Sequence, residues 1–173
     1  MAQTLKMVKE IIKNAEYNHP ATNSLHGVWF EGNYQFATDG YRAVCLYNPV
    51  DVKERDSSTL TITSKFTEAE INCTEKIELP TVKEIRKQIK DLIGRKYRSY
   101  RVFYRLADNP DLATVNAKYL VECMEAIGAT ELWYDPLKPK RGMLLMETEI
   151  GKVILLPVHC ITEKTGYWKV ETE

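Results

Sequence analysis

The sequence predicts an α+β fold, with antiparallel sheets and two or three helices packed on one side. Three observations predict it. Apolar residues recur at helical spacing in three separate stretches. The segments between them alternate β-branched or aromatic residues with polar ones and are broken by Gly, Asn and Pro. A helix followed by a run of strands occurs twice, with one extra basic helix between. At 173 residues and 44% hydrophobic content, the chain has material for one filled core. A single domain over 1–173 is expected. It divides into a first helix-plus-strands half (1–66), a basic helix and strand (67–106), a second helix-plus-strands half (107–160) and a tail (161–173).

The elements follow in order. Residues 4–16 set Leu5, Val8, Ile12 and Ala15 on one helix face and Lys6, Lys9 and Lys13 on another, with Thr4 as N-cap. Leu25–Phe30 and Tyr34–Ala37 read as strands joined by Glu31-Gly32-Asn33, a hairpin signal. A tight polar turn at Thr38-Asp39-Gly40 leads into the strand Arg42–Tyr47. Gly40 takes positive φ there, and Asp39 bonds its own backbone. Thr59–Phe66 alternates β-branched with polar residues and reads as a half-buried strand. Pro80 opens a second helix in its first turn, with Val82, Ile85, Ile89 and Leu92 inward and Gly94 as its stop. Tyr100–Leu106 reads as a strand and Leu112–Val115 as a short one. Asn116 caps a third helix, Ala117–Ile127, with Tyr119, Leu120, Cys123, Met124 and Ile127 inward and Glu122 and Glu125 outward. Glu131–Tyr134 is a strand, and Pro136–Gly142 an exposed basic loop. Met143–Thr148 and Lys152–Val158 form a hairpin about Glu149-Ile150-Gly151.

Composition narrows the function. Charges balance at 24 against 24, so the overall charge gives no hint of a nucleic-acid partner. Locally it is basic: Lys83 to Arg105 holds nine Lys or Arg against Glu84 and Asp91. Four widely spaced cysteines (Cys45, Cys73, Cys123, Cys160) without a C-x-x-C read as buried free thiols of a reducing compartment. No signal-peptide pattern and no apolar run long enough for a membrane span occurs. The expected localisation is cytoplasmic, without a membrane partner. His19, His26 and His159 have no metal-ligand spacing, and no P-loop, H-E-x-x-H or nucleophile elbow is present. No cofactor or metal is expected.

Three stretches carry a family resemblance. ATDGYRA (Ala37 to Ala43) is similar to the ATDGHRLA of the bacterial DNA sliding clamp, the β subunit of the replicative polymerase, with Tyr41 in place of the usual His. ELPTVKEIRKQIKDL (Glu78 to Leu92) is similar to the I-x-P-x-K-x-x-x-E-L helix that follows it there. VNAKYLVECMEAIGATELWYDPLKP…LLPVH (Val115 to His159) is similar to the clamp's last half-domain, FNPKYLLEALKAL…YLIMPMRL. The order is the clamp's own. A clamp protomer has three such domains, and this chain has length for one and a part. The resemblance implies a DNA-clamp-like fold and a non-catalytic, processivity-factor-like role in DNA replication, as a phage or mobile-element relative of the clamp. It departs in the acidic outer face of the third helix.

The resemblance implies two sites. A groove for the clamp-binding peptides of DNA polymerases or other replication proteins would use Thr38, Gly40, Tyr41, Arg42, Leu156, Pro157 and Val158. Pro157 lacks a donor, so the sheet edge opens there. Leu156 and Val158 give apolar walls, and Gly40 and Arg42 give polar anchors. Edge packing and a local Asp39–Arg42 pair are the plainer readings of the same residues. The second site is a non-specific double-stranded DNA surface of Lys6, Lys9, Lys13, Lys83, Arg86, Lys87 and Lys90. It would meet phosphates without reading bases, against the plainer reading of solvated helix faces. The interleaved tyrosines and arginines of Arg95 to Arg105 would alternatively stack on single-stranded bases. A ring needs a homo-oligomer of about six such domains, six being the number in a clamp ring. The alternative is a small adaptor or decoy that binds replication proteins without encircling DNA. A remote alternative is a metal-dependent nuclease using Asp135, Glu147 and Glu149 with Lys152.

Overall fold

The structure is a computed structural model, described here for residues 2–19, 26–52, 62–93, 100–106, 113–158 and 168–172. It is an α+β fold. Four helices, α1 (Ala2–Asn18), α2 (Ile62–Asn72), α3 (Val82–Ile93) and α4 (Ala117–Ile127), accompany ten strands. The strands are β1 (Trp29–Glu31), β2 (Tyr34–Thr38), β3 (Arg42–Leu46), β4 (Glu75–Glu78), β5 (Tyr100–Arg105), β6 (Thr114–Asn116), β7 (Glu131–Tyr134), β8 (Leu144–Glu147), β9 (Gly151–Leu155) and β10 (Trp168–Thr172). Seven form one antiparallel sheet in the order β1-β2-β3-β9-β8-β7-β4, and three form a second in the order β10-β5-β6.

The large sheet is built by duplication. β1-β2-β3 follow α1, β7-β8-β9 follow α4, and the two runs meet at β3 and β9. Backbone hydrogen bonds repeat from one half to the other. Asp39 N donates to Arg42 O, as Thr148 N does to Gly151 O. Tyr41 N donates to the Asp39 carboxylate, as Ile150 N does to the Thr148 hydroxyl. Leu156 N donates to Tyr41 O, as Tyr47 N does to Ile150 O. Residue 41 thus corresponds to 150 and 47 to 156, an offset of 109 in both cases. The helix-then-strands repeat expected from sequence is therefore a pseudo-twofold about the β3–β9 pair. α1 and α4 lie antiparallel beside each other: the Thr4 hydroxyl donates to Ala126 O, and Asn14 reaches Tyr119.

Both faces of the sheet are covered, because alternate residues of its central strands are apolar on both sides. Ala37, Val44, Leu46, Leu144, Met146, Val153 and Leu155 pack with Met7, Val8 and Ile11 of α1, Leu120, Met124 and Ile127 of α4, and Ile85 and Ile89 of α3. On the opposite face Trp29, Phe36, Ala43, Cys45, Leu145 and Ile154 pack with Phe66, Ala69 and Cys73. The second cover is a correction. The sequence predicts a strand over Thr59–Phe66, but a helix begins at Ile62 and runs to Asn72; residues 59–61 lie outside those described. Phe66, Ala69 and Cys73 stand at helical spacing, and burying them against the sheet outweighs the β-propensity of the threonines and isoleucine.

The caps differ from expectation in detail. Thr4 is inside α1 and buried, bonded to α4, and does not cap the helix. Pro80 precedes the cap of α3. Thr81 and Glu84 form a reciprocal box, Thr81 N to the Glu84 carboxylate at 2.9 Å and Glu84 N to the Thr81 hydroxyl at 3.1 Å. Asn116 caps α4 as expected, accepting from Lys118 N and Tyr119 N, and Gly128 closes it at φ +70°.

Cys45, Cys73 and Cys123 are free and buried; Cys160 lies outside the described residues. Burial pushes the thiols of Cys45 and Cys73 up to about 11 and that of Cys123 up to about 12. Among the described residues, no helix is long and apolar enough to cross a membrane.

Two predictions follow from this packing. A Cβ at Gly151 would run into the Cys45 carbonyl on β3, so Gly151→Ala is expected to lower the unfolding free energy by about 2 kcal/mol or more, measured by urea titration. Wild-type stability in that variant would show that the central pairing tolerates spreading. The folded state holds the three thiol protons more tightly than the unfolded state, which ionises near the ordinary thiol value of 9.0. Stability is therefore full below pH 9 and falls as pH rises towards the folded values. Iodoacetamide at about pH 8 should leave Cys45, Cys73 and Cys123 unmodified in the native chain and label all three in urea, read by peptide mass spectrometry.

Candidate functional site

The hairpin turn between β2 and β3 positions the site. Asp39 is fully buried, and its carboxylate accepts four hydrogen bonds: from Tyr41 N (2.9 Å), Arg42 N (3.0 Å), Arg42 Nε (3.2 Å) and Asn14 Nδ2 (3.3 Å). Gly40 takes φ +88°, and a Cβ there would come within 3.2 Å of the His19 ring, so the turn requires glycine for two reasons. The Thr38 hydroxyl donates to Arg42 O and accepts from Gly40 N.

Arg42 is only 2% exposed. Its Nη1 donates to Glu122 on α4 at 3.1 Å, and its guanidinium lies 4.3 Å from the Tyr119 ring centroid. Burial works against its charge. Cys123, Glu122 and Asp39 outweigh that and raise the pKa. Nη2 has no hydrogen-bond partner among the described residues. The corner is thus bolted to both helices of the duplicated unit, to α1 through Asn14 and to α4 through Glu122 and Tyr119. Glu122 was expected on an outward face. It lies instead largely covered beneath Arg42. Glu125 is taken up by Arg86 of α3 at 2.6 Å.

Beside the corner lies a cavity of about 390 Å³. Thr38, Gly40, Arg42, Ala43, Ile154 and Leu156 line one side. α2 contributes Lys65, Glu68, Asn72 and Cys73, and the loop after β7 contributes Asp135, Lys138, Arg141, Gly142 and Met143. Four of the seven residues expected in a groove, Thr38, Gly40, Arg42 and Leu156, therefore meet at one cavity. The other three do not line it. Tyr41 stands exposed nearby, 47% accessible, its ring 6.4 Å from that of Tyr119. Pro157 is buried and Val158 is tied to β6 through Thr114 O. The strand is shorter than the expected Lys152–Val158: Leu156 N makes the last bond, to Tyr41 O, and Pro157 carries no further donor.

Sequence reasoning missed α2 and the loop as cavity walls. The loop had a signal, its exposed basic composition. α2 had none, its first residues falling in the predicted strand Thr59–Phe66.

Lys6, Lys9, Lys13, Lys83, Arg86, Lys87 and Lys90 are all exposed. α1 and α3 both pack against α4, so the two sets of cations flank one helix. Arg86 is the exception in chemistry, its charge already matched by Glu125. Tyr104 is buried in the core, which removes it from any base-stacking face; residues 95–99 lie outside those described. His26 Nε2 lies 2.9 Å from His19 O, and His159 is outside the described residues. The acids of the nuclease alternative are dispersed. Asp135 accepts from Leu137 N, Glu147 from the Tyr47 hydroxyl, and Lys152 is paired with Glu70. Among the described residues no three His, Cys, Asp or Glu come together as a metal site.

No protein-family model matches the chain, and no curated protein does. Among solved structures it is similar to the DNA polymerase III beta subunit of Thermotoga maritima, with 14% identity and a TM-score of 0.46, over 89% of this chain and 64% of that one. It is also similar to the Helicobacter pylori beta clamp bound to a DNA ligase peptide, with 19% identity and a TM-score of 0.39, over 75% of this chain and 41% of that one. The chain thus spans less than two thirds of either.

Removing Arg42 leaves Asp39 buried without its cation. Arg42→Met is expected to destabilise by about 3 kcal/mol. Glu122→Gln, at the partly open end of the cluster and still able to accept, is expected to cost about 1 kcal/mol. Thermal and urea unfolding measure both, and equal costs would mean that the Asp39 end is not the anchor.

Proposed function

We propose that this chain is a non-catalytic, sliding-clamp-like protein of DNA replication that receives a short peptide from a polymerase or other replication protein at the Thr38–Arg42 corner. One observation carries the reading. Thr38, Gly40 and Arg42 of one turn and Leu156 from the far end of the chain, singled out by the ATDGYRA and LLPVH resemblance, line one cavity. Its chemistry suits an extended peptide. Leu156 is 41% exposed at its edge, and Ile154 and Met143 offer apolar contact. The rigid corner fixes that geometry before a peptide arrives, which lowers the cost of binding.

The exposed cations of α1 and α3 favour a second role in the same protein, non-specific contact with duplex phosphates. A ring of copies would place those helices on the DNA. A small adaptor would use the cavity alone.

Sedimentation over a wide concentration range, with nicked circular and with linear DNA, separates the two. A multimer retained on circles and lost from linear DNA is the expected result for a ring. Charge reversal of Lys83, Arg86, Lys87 and Lys90 to Glu should then abolish retention. A monomer or dimer indifferent to DNA would overturn the ring and leave the adaptor.

A further inference from the structure

Besides α2, the cavity has two unlike walls. One is apolar, made by Ala43, Met143, Ile154 and Leu156. The other is the loop after β7, which brings Lys138 and Arg141 to the mouth. Both cations are exposed, and among the described residues neither has an ion-pair partner. The remaining charges are engaged. Arg42 is held by Asp39 and Glu122, Lys65 by Glu68 at 3.4 Å, and the Asp135 carboxylate accepts from Leu137 N.

The loop is a fixed support. Lys138 N donates to Asp135 O, and Arg141 N and Gly142 N both donate to Lys138 O. A Cβ at Gly142 would meet Lys138 O at 2.9 Å, so the turn closes tightly on itself. It is also where the internal duplication breaks. Gly32 and Asn33 alone join β1 to β2, whereas residues 135–143 join β7 to β8. Two cations without ion-pair partners among the described residues are therefore held on set backbone beside an apolar floor.

Resting on the peptide-site reading above, we infer that the occupant is an extended segment of a partner protein with a side-chain carboxylate next to a large apolar residue, and that Lys138 and Arg141 select for that carboxylate. A cavity of about 390 Å³ is at the small end of the range for ligand pockets. It suits one or two side chains and not the face of a helix. Apolar contact supplies the affinity. The two cations supply selection and a salt dependence.

The test is fluorescence anisotropy with the full chain and two labelled, C-terminally amidated peptides. One carries two leucines flanked by aspartates, and the other has lysines in place of the aspartates. Amidation leaves side chains as the only carboxylates near the leucines. The acidic peptide is expected to bind about fivefold more tightly, the equivalent of two exposed ion pairs. The preference should shrink in about 0.5 M salt and reverse in K138E/R141E, whose changes lie on the surface. Leu156→Asp should weaken binding of the acidic peptide. Equal binding of both peptides, still sensitive to Leu156→Asp, overturns selection by Lys138 and Arg141 and leaves the cavity as a peptide site. If neither peptide binds, both readings are overturned.

Discussion

Arg42 joins the sheet to its helices. It leaves the β2–β3 turn pointing into the helix layer, where water is excluded and a lone cation would be costly. Two carboxylates and an aromatic face meet it: Asp39 from its own turn, Glu122 and Tyr119 from α4. Asn14 of α1 closes the arrangement by bonding both Asp39 and Tyr119. Such a cluster adds less to stability than an apolar plug of the same volume would. It gives directionality instead. The corner sits in one orientation relative to α1 and α4, and the cavity beside it inherits that orientation.

The duplicated halves share backbone hydrogen bonds but not chemistry. Where the first half has Asp39 and Arg42, the second has Thr148 and Gly151. The Thr148 hydroxyl reproduces the turn but brings no charge. Gly151 lets β9 approach the Cys45 carbonyl more closely than any side chain would permit. One corner is polar and charged, and the other is a packing device. The α2 helix deepens the asymmetry by lying over the outer face and walling the cavity on one side only.

Much of this was legible in the sequence, for identifiable reasons. α1, α3 and α4 announce themselves through apolar spacing, and the hairpins through Gly32, Gly40 and Gly151. The corner was legible because Asp39, Gly40 and Arg42 have few other uses in that order. The burial of Glu122 was not legible. Its helix position is outward by periodicity, and only the approach of a strand eighty residues away turns it inward. α2 was hidden for the opposite reason. Its threonines and isoleucine carry local β preference, and the helix exists because Phe66, Ala69 and Cys73 find an apolar sheet face distant in sequence. Pro157 was read correctly as the end of pairing, yet its own burial depended on the path of the chain onward to β6.

The central pairing of β3 with β9 has a further consequence, in the order in which the chain is made. β3 is buried along its whole length, and its neighbour on one side is not synthesised until residue 151. Until then the first half carries a buried-type strand with an open edge. Contacts this far apart in sequence form late and slowly, and an open strand edge is a template for wrong pairing. The sheet closes only when the second half has emerged.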